Sequence, residues 1–164
     1  MRKLHSLNKG SIVGFIIAIA IPLAVGSLSS FFTRDTMQQY QNLIQPSFAP
    51  PGWVFPVVWT ILYVLMGIAS YRIYSLGFKD PQVKSALLFY AAQLFVNFFW
   101  TIIFFRFEQR GFALVWLILL WVLIVITTAK FYRLDKIAGY LMVPYILWVS
   151  FAGLLNYSVW QLNR

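Results

Sequence analysis

The sequence predicts an all-α membrane protein, a bundle of five transmembrane helices, and three features carry that prediction. Of its 164 residues 61% are hydrophobic and only 10% charged, against about 25% charged in an ordinary water-soluble domain. The apolar residues fall in long blocks, and about 20 such residues suffice for a helix to cross a bilayer. The basic residues gather between the blocks, where lysine and arginine meet lipid head groups. The alternation of a membrane β-barrel, over segments of about ten residues, is missing. A single integral-membrane domain over residues 1–164 is expected, with spans at about 11–32, 53–76, 85–105, 112–129 and 137–160.

Charge and composition exclude several function classes. The net charge is +9, but no basic face recurs along any segment, so no nucleic-acid partner is expected. No cysteine is present, which excludes disulfides, zinc–thiolate sites and thiolate-ligated haem. The only histidine, His5, lies in the polar N-terminal segment, and the four acidic residues are scattered at block ends. No metal site and no resident cofactor are therefore expected.

The elements follow in order. Arg2, Lys3 and Lys9 precede the first block, and the small-residue run Ala24-Val25-Gly26-Ser27 imitates a secretory cleavage site. Apolar character continues to Phe31 and Phe32, so the block is read as a retained helix. Gly10, Gly14 and Ala18, four apart, admit a close helical neighbour. The connector 33–52 is long for a structureless loop. Thr33 or Asp35 is expected to cap a short helix through Met37, Tyr40 and Ile44, either a lid or an ordinary interfacial helix. Pro56 falls in the first turn of the second span, where its missing N–H costs little. Arg72 near its end can snorkel to the interface. The third span holds the amides Gln93 and Asn97, the fourth Trp116 and Trp121, and the fifth Pro144, which frees a carbonyl and invites a kink.

Nine basic residues (Arg2, Lys3, Lys9, Arg72, Lys79, Lys84, Lys130, Arg133, Lys136) fall on one side of such a bundle. Four (Arg34, Arg106, Arg110, Arg164) fall on the other. The positive-inside bias then puts the N-terminus in the cytoplasm and the C-terminus outside. A simple basic start without a Ser/Arg-rich leader suits a bacterial inner membrane.

Three stretches carry more than spanning requires. Trp59 and Tyr63, four apart, share one helical face just after a proline cluster. Gln93, Asn97 and Trp100 share another, and Tyr145, Trp148, Ala152 and Asn156, stepping by three, four and four, share a third. Taken singly, such faces read as packed aromatic seams or as interhelical hydrogen bonds worth about 0.6 kcal/mol. Three of them in one bundle can instead line a cavity for a large, flat, hydrophobic molecule. Trp53, Tyr74, Tyr132 and Trp160, at block ends, fit an interfacial belt.

The run P-S-F-A-P-P-G-W-V-F-P-V-V-W-T-I-L-Y from Pro46, N-F-F-W from Asn97, and P-Y-I-L-W-V-S-F-A-G-L-L-N-Y from Pro144 together resemble the TspO/translocator protein family, the tryptophan-rich sensory proteins. The resemblance covers roughly Tyr40 to Trp160 and implies a five-helix bundle, often a homodimer. It implies a pocket beneath the first long connector that takes porphyrins, notably protoporphyrin IX, and isoquinoline-type synthetic ligands. By matching positions it implies ligand contacts at Trp59, Asn97, Trp100, Tyr145, Trp148, Phe151 and Ala152, with Tyr63 on the Trp59 face. Pro46, Pro50 and Pro51 match the pocket rim. This chain has Phe48 where the family commonly has Trp, and Leu120 where an acidic residue is frequent. The sterol motif of animal members is incomplete: Leu155 and Tyr157 are present, but Gln161 stands where a cation is expected. Sterol transport is therefore not expected.

The expected function is an integral-membrane tetrapyrrole-binding sensor or regulator, with a porphyrin or other flat hydrophobic molecule and membrane lipid as partners. One alternative is a light- and oxygen-dependent porphyrin-degrading enzyme. No nucleophile–base pair is visible, so Trp59 and Trp148 would serve as its redox partners. Another is a transporter, which the absence of an internal repeat disfavours.

Overall fold

A chain this poor in polar side chains must satisfy its backbone internally, and in lipid that means helices. The computed structural model describes residues 9–164, with side chains from residue 12; Arg2, Lys3, His5 and the Lys9 side chain lie outside these. Among the described residues there is no strand. Helix α1 spans Lys9–Thr33. A short 3-10 turn, Arg34–Thr36, leads into α2, Met37–Gln41. Then come α3 (Val54–Tyr74), α4 (Pro81–Thr101) with a π-helical turn Ile102–Arg106, α5 (Arg110–Leu134) and α6 (Lys136–Leu162). Five segments, Ile12–Gln41, Val54–Tyr74, Pro81–Arg106, Arg110–Leu134 and Lys136–Leu162, are long and apolar enough to cross a membrane.

Local chemistry explains the boundaries. Gly77, with φ +121°, turns the chain between α3 and α4 in a region that favours glycine. Asp80 accepts a 2.8 Å hydrogen bond from the Gln82 N–H, and Pro81 takes the first helical position. Helix α4 therefore starts at Pro81, four residues before the expected 85. Asp135 accepts from the N–H groups of Ile137 (2.8 Å) and Ala138 (3.0 Å), so α6 begins at once after α5. Its other carboxylate oxygen takes the Arg72 guanidinium at 2.7 Å, tying the end of α3 to this turn.

The helices close a ring: α1 packs on α3, α3 on α6, α6 on α5, α5 on α4, and α4 back on α1. Helices α1 and α3 approach closely at Gly67. A Cβ there would lie 2.5 Å from Ile19 Cα and 2.7 Å from the Ala18 carbonyl oxygen. The close approach expected on α1 is thus made by Ala18 against a glycine of α3. Gly14 makes only ordinary contact with Tyr71, and the packing of Gly10 lies outside the described side chains. The half of the bundle away from the connector is solid, filled by Met66, Ile73, Val83, Phe131, Ala138 and Met142. Leu120 is fully buried in an apolar core.

The connector differs from expectation. Thr33 belongs to α1, where its hydroxyl donates to the Ser29 carbonyl at 3.0 Å. Neither it nor Asp35 caps α2; Thr36 precedes that helix without a side-chain cap. Helix α2 is only 5 residues long, and Ile44 lies beyond it, exposed. Tyr40 packs on Phe105 and Phe104, with ring centroids 5.2 and 5.9 Å away.

Gly67→Val forces α1 and α3 apart. Overpacking of this kind costs about 1–3 kcal/mol, so a lower unfolding midpoint in detergent is expected. Burial alone would raise the Asp135 carboxyl, but the Ala138 N–H, the Arg72 guanidinium and the Ile137 N–H outweigh it and hold the group below the ordinary carboxylate value. A carboxyl lowered on folding stabilises the fold fully above its unfolded pKa, about 3.9, and loses that contribution as pH falls through the folded value. The wild-type chain should therefore lose stability on acidification below about pH 4. Asp135→Asn, which keeps a capping oxygen, should flatten that part of the profile, as read by pH-dependent thermal unfolding.

Candidate functional site

The solid packing gives way toward the connector end. There a cavity of about 870 Å³ opens between α1, the connector, α3, the end of α4 and α6. That is within the size of ordinary ligand pockets, roughly 300–1,000 Å³. Helix α5 contributes none of its lining. Two local features make the room. Gly26 on α1 lies directly under the Tyr63 ring, where any Cβ would collide. The π turn after Thr101 rotates the side chains that follow, and both Phe104 and Phe105 end on the cavity wall. Single π turns inside or at the end of helices are frequent at functional sites.

The wall is a chain of rings. Trp59 stacks on Tyr63 with centroids 5.5 Å apart and 28° between planes. It also lies 6.4 Å from Trp100 and edge-on to Tyr145 at 6.1 Å. On the facing side Trp148 meets Phe55 at 5.9 Å and Phe151 at 5.4 Å.

Behind the rings runs a buried polar chain. The Tyr63 hydroxyl donates to Asn97 Oδ1 at 3.0 Å. Asn97 Nδ2 donates to the Tyr145 oxygen at 2.6 Å. The Tyr145 hydroxyl donates to Gln93 Oε1 at 2.7 Å, and Gln93 Nε2 approaches Met66 Sδ at 3.8 Å. A second link runs from Trp100 Nε1 to Asn156 Oδ1 (3.3 Å) and from Asn156 Nδ2 to the Arg110 carbonyl (2.9 Å), bringing in α5. Trp148 Nε1, by contrast, is buried and has no partner among the described residues.

The residues singled out in the sequence fall in three places. Trp59, Tyr63, Trp100, Trp148 and Ala152 line the cavity, and Pro50 and Pro51 line its mouth. Asn97 and Tyr145, 1% and 0% exposed, do not line it; they form the layer behind and orient the rings. Phe48 and Phe151 meet edge to face at 6.2 Å beside the mouth, outside the lining. Pro46 also lies outside it, its carbonyl accepting from the Ala49 N–H at 3.0 Å. Sequence reasoning missed the contribution of α1, where Gly26, Ser29 and Thr33 face the cavity. Their spacing of three and four, a small and polar stripe in an apolar span, was the available signal. It also left out Phe55, Phe104 and Phe105, whereas Asn156, placed by spacing on the Trp148 face, and Tyr40, placed on the possible lid, do line the cavity. Among the described residues no group of three or more His, Cys, Asp or Glu could hold a metal ion.

A family model for the TspO/MBR family matches residues 18–161. The chain belongs to the TspO/MBR family. As a TspO/MBR member it is an integral membrane protein with five apolar helices. It is 40% identical over 158 residues to the tryptophan-rich protein TspO of Chlorobaculum tepidum, covering 96% of this chain and 99% of that one. It is 41% identical to protein CrtK of Rhodobacter capsulatus, covering 93% of this chain and 94% of that one. With the human translocator protein it shares 37% identity over 93% of this chain and 89% of the other.

Within this TspO/MBR chain Asn97 is the joint of the polar layer. Tyr63→Phe removes one hydrogen bond and should cost about 0.6 kcal/mol. Asn97→Leu strands the Tyr63 hydroxyl in an apolar layer and removes a donor from the Tyr145 oxygen, which keeps Gln93, and should cost more, about 1–3 kcal/mol. Denaturant titration of the purified protein in mixed micelles compares the two.

Proposed function

We propose that this protein is a tetrapyrrole-binding sensor or regulator that holds a porphyrin such as protoporphyrin IX in the cavity beneath the connector. The observation that carries this reading is the tryptophan-walled hollow itself, about 870 Å³, with Trp59, Trp100 and Trp148 on its sides. Flat, apolar, quadrupolar walls bury a macrocycle and stack against it. In this reading Trp59, Tyr63, Trp100, Trp148 and Ala152 contact the ligand. Asn97 and Tyr145 position them, and Pro46, Phe48, Pro50, Pro51 and Phe151 shape the rim. A relative from Cereibacter sphaeroides, 38% identical, bears the name tryptophan-rich sensory protein, which suits a sensing role.

Orientation belongs to the same proposal. Arg34, Arg106, Arg110 and Arg164 lie at the connector end, while Arg72, Lys79, Lys84, Lys130, Arg133 and Lys136 lie at the other. The more basic end faces the cytoplasm of a bacterial cell and the cavity mouth faces outward. Homodimerisation is carried over from the family resemblance alone.

A second reading, photochemical degradation of the bound porphyrin, is favoured by one contact set. Trp59 sits in ring contact with Tyr63, Trp100 and Tyr145, a ready path for an electron to reach an excited macrocycle. Illumination in oxygen separates the two. A product spectrum that depends on Trp59 and Trp148 supports chemistry, whereas bleaching equal to that of free porphyrin supports binding alone.

Trp148→Ala should weaken porphyrin binding tenfold or more, about 1.4 kcal/mol, as measured by fluorescence quenching of the purified protein. An unchanged quenching curve would remove the main support for the assignment.

A further inference from the structure

The connector that roofs the cavity is tied to the bundle by a residue 119 positions away. The Ile44 N–H donates to Asn163 Oδ1 at 3.0 Å, and Asn163 Nδ2 donates back to the Ile44 carbonyl at 2.8 Å. The same Nδ2 also donates to the Val159 carbonyl of α6 at 2.8 Å. A side-chain amide carries a donor and an acceptor side by side, as a peptide does, so it can engage both backbone groups of one residue at once. The neighbours of Ile44 on both sides, Leu43 and Gln45, line the cavity. Among the described residues, the other hydrogen bonds of the stretch 42–53 are local, within the connector or to Val54 at the start of α3. The Ile44 side chain is 62% exposed and gives no apolar anchor at this point. Asn163 lies just past α6 and beyond the 18–161 segment that the family model matches.

We infer that Asn163 is a positioning residue that latches the connector over the cavity and sets how fast the cavity opens. Paired to Ile44, it holds the stretch between α2 and the proline cluster against the end of α6. Released, that stretch retains its internal turns, the ring contacts of Tyr40 and Phe48, and the partial apolar packing of Leu43 and Ala49. For a bound guest the consequence rests on the proposed porphyrin reading: entry and exit should both be gated by this pair. The latch itself can be tested without any ligand.

The chain has no cysteine, so a single Ser29→Cys substitution places one thiol on the cavity wall, at a position 3% exposed. Its rate of modification by a charged, membrane-impermeant methanethiosulfonate reagent reports opening. Adding Asn163→Ala should raise that rate about tenfold, the effect of losing two partly solvated hydrogen bonds. Asn163→Asp, which keeps the acceptor for the Ile44 N–H and loses the donor to its carbonyl, should fall between. A control thiol, Ser70→Cys, buried in α3 away from the cavity, should label equally slowly with and without Asn163→Ala. Equal Ser29→Cys rates in both backgrounds, including no labelling in either, overturn the latch. A parallel rise at Ser70→Cys overturns it too, in favour of general loosening. In a separate arm, porphyrin association and dissociation should both quicken in Asn163→Ala. A chain that binds no porphyrin leaves the labelling result standing, so the two readings fail separately.

Discussion

A polar side chain inside a bilayer-spanning bundle must find its partner within the protein, and here that demand is met at one joint. Asn97 accepts from Tyr63 on α3 and donates to Tyr145 on α6, while Gln93, one turn earlier on α4, takes the Tyr145 hydroxyl. Three helices are thereby held in one register by groups that water cannot reach. The rings obey the same constraint. Trp59 stacks on a tyrosine whose hydroxyl is committed and lies edge-on to a second one, so the shape of the cavity wall follows from the polar layer behind it. Fully satisfied buried networks specify a unique arrangement, and partly satisfied ones do not.

The bundle is solid at one end and hollow at the other for reasons that can be named. Away from the connector, Gly67 and Gly139 let α1 approach α3 and α6 approach α5; a Cβ on Gly139 would lie 2.5 Å from Tyr132 Cβ. Toward the connector the spacing is set by bulky rings and by the π turn that redirects Phe104 and Phe105. Helix α5 stands behind the site rather than in it. Its Arg110 carbonyl holds the lining residue Asn156, and its Trp116 Nε1 donates to the Val96 carbonyl of α4 at 2.8 Å.

Much of this was legible in the sequence because a helix has one period. Trp59 with Tyr63, and Trp148 with Ala152, were assigned to common faces by spacing alone, and both pairs line the same hollow. Period gives direction but not depth. Asn97 and Tyr145 point inward as their faces require, yet they stop one layer short of the cavity, a distinction only the packing of neighbouring helices can make. The share of α1 was hidden because Gly26, Ser29 and Thr33 look unremarkable in an apolar span. What matters is that Tyr63 lies across Gly26. Helix α4 starts before the expected 85 because Asp80 caps it and Pro81 is its first residue, and an apolar block marks only the lipid-facing part of a helix. The end of the connector was illegible for a different reason. Nothing local to Ile44 announces a partner on the far side of the chain.

The hydrogen-bond commitments of the tyrosines and of Trp100 give the hollow a polarity along its depth. At its floor the Tyr63 hydroxyl and the Trp100 N–H are already spoken for, so what faces inward is carbon. Toward the connector the lining includes Ser30, Gln41 and Gln45, whose side chains carry hydrogen-bonding groups. A guest with one greasy and one oxygen-bearing end would accordingly meet carbon at the floor and hydrogen-bonding side chains beside the connector.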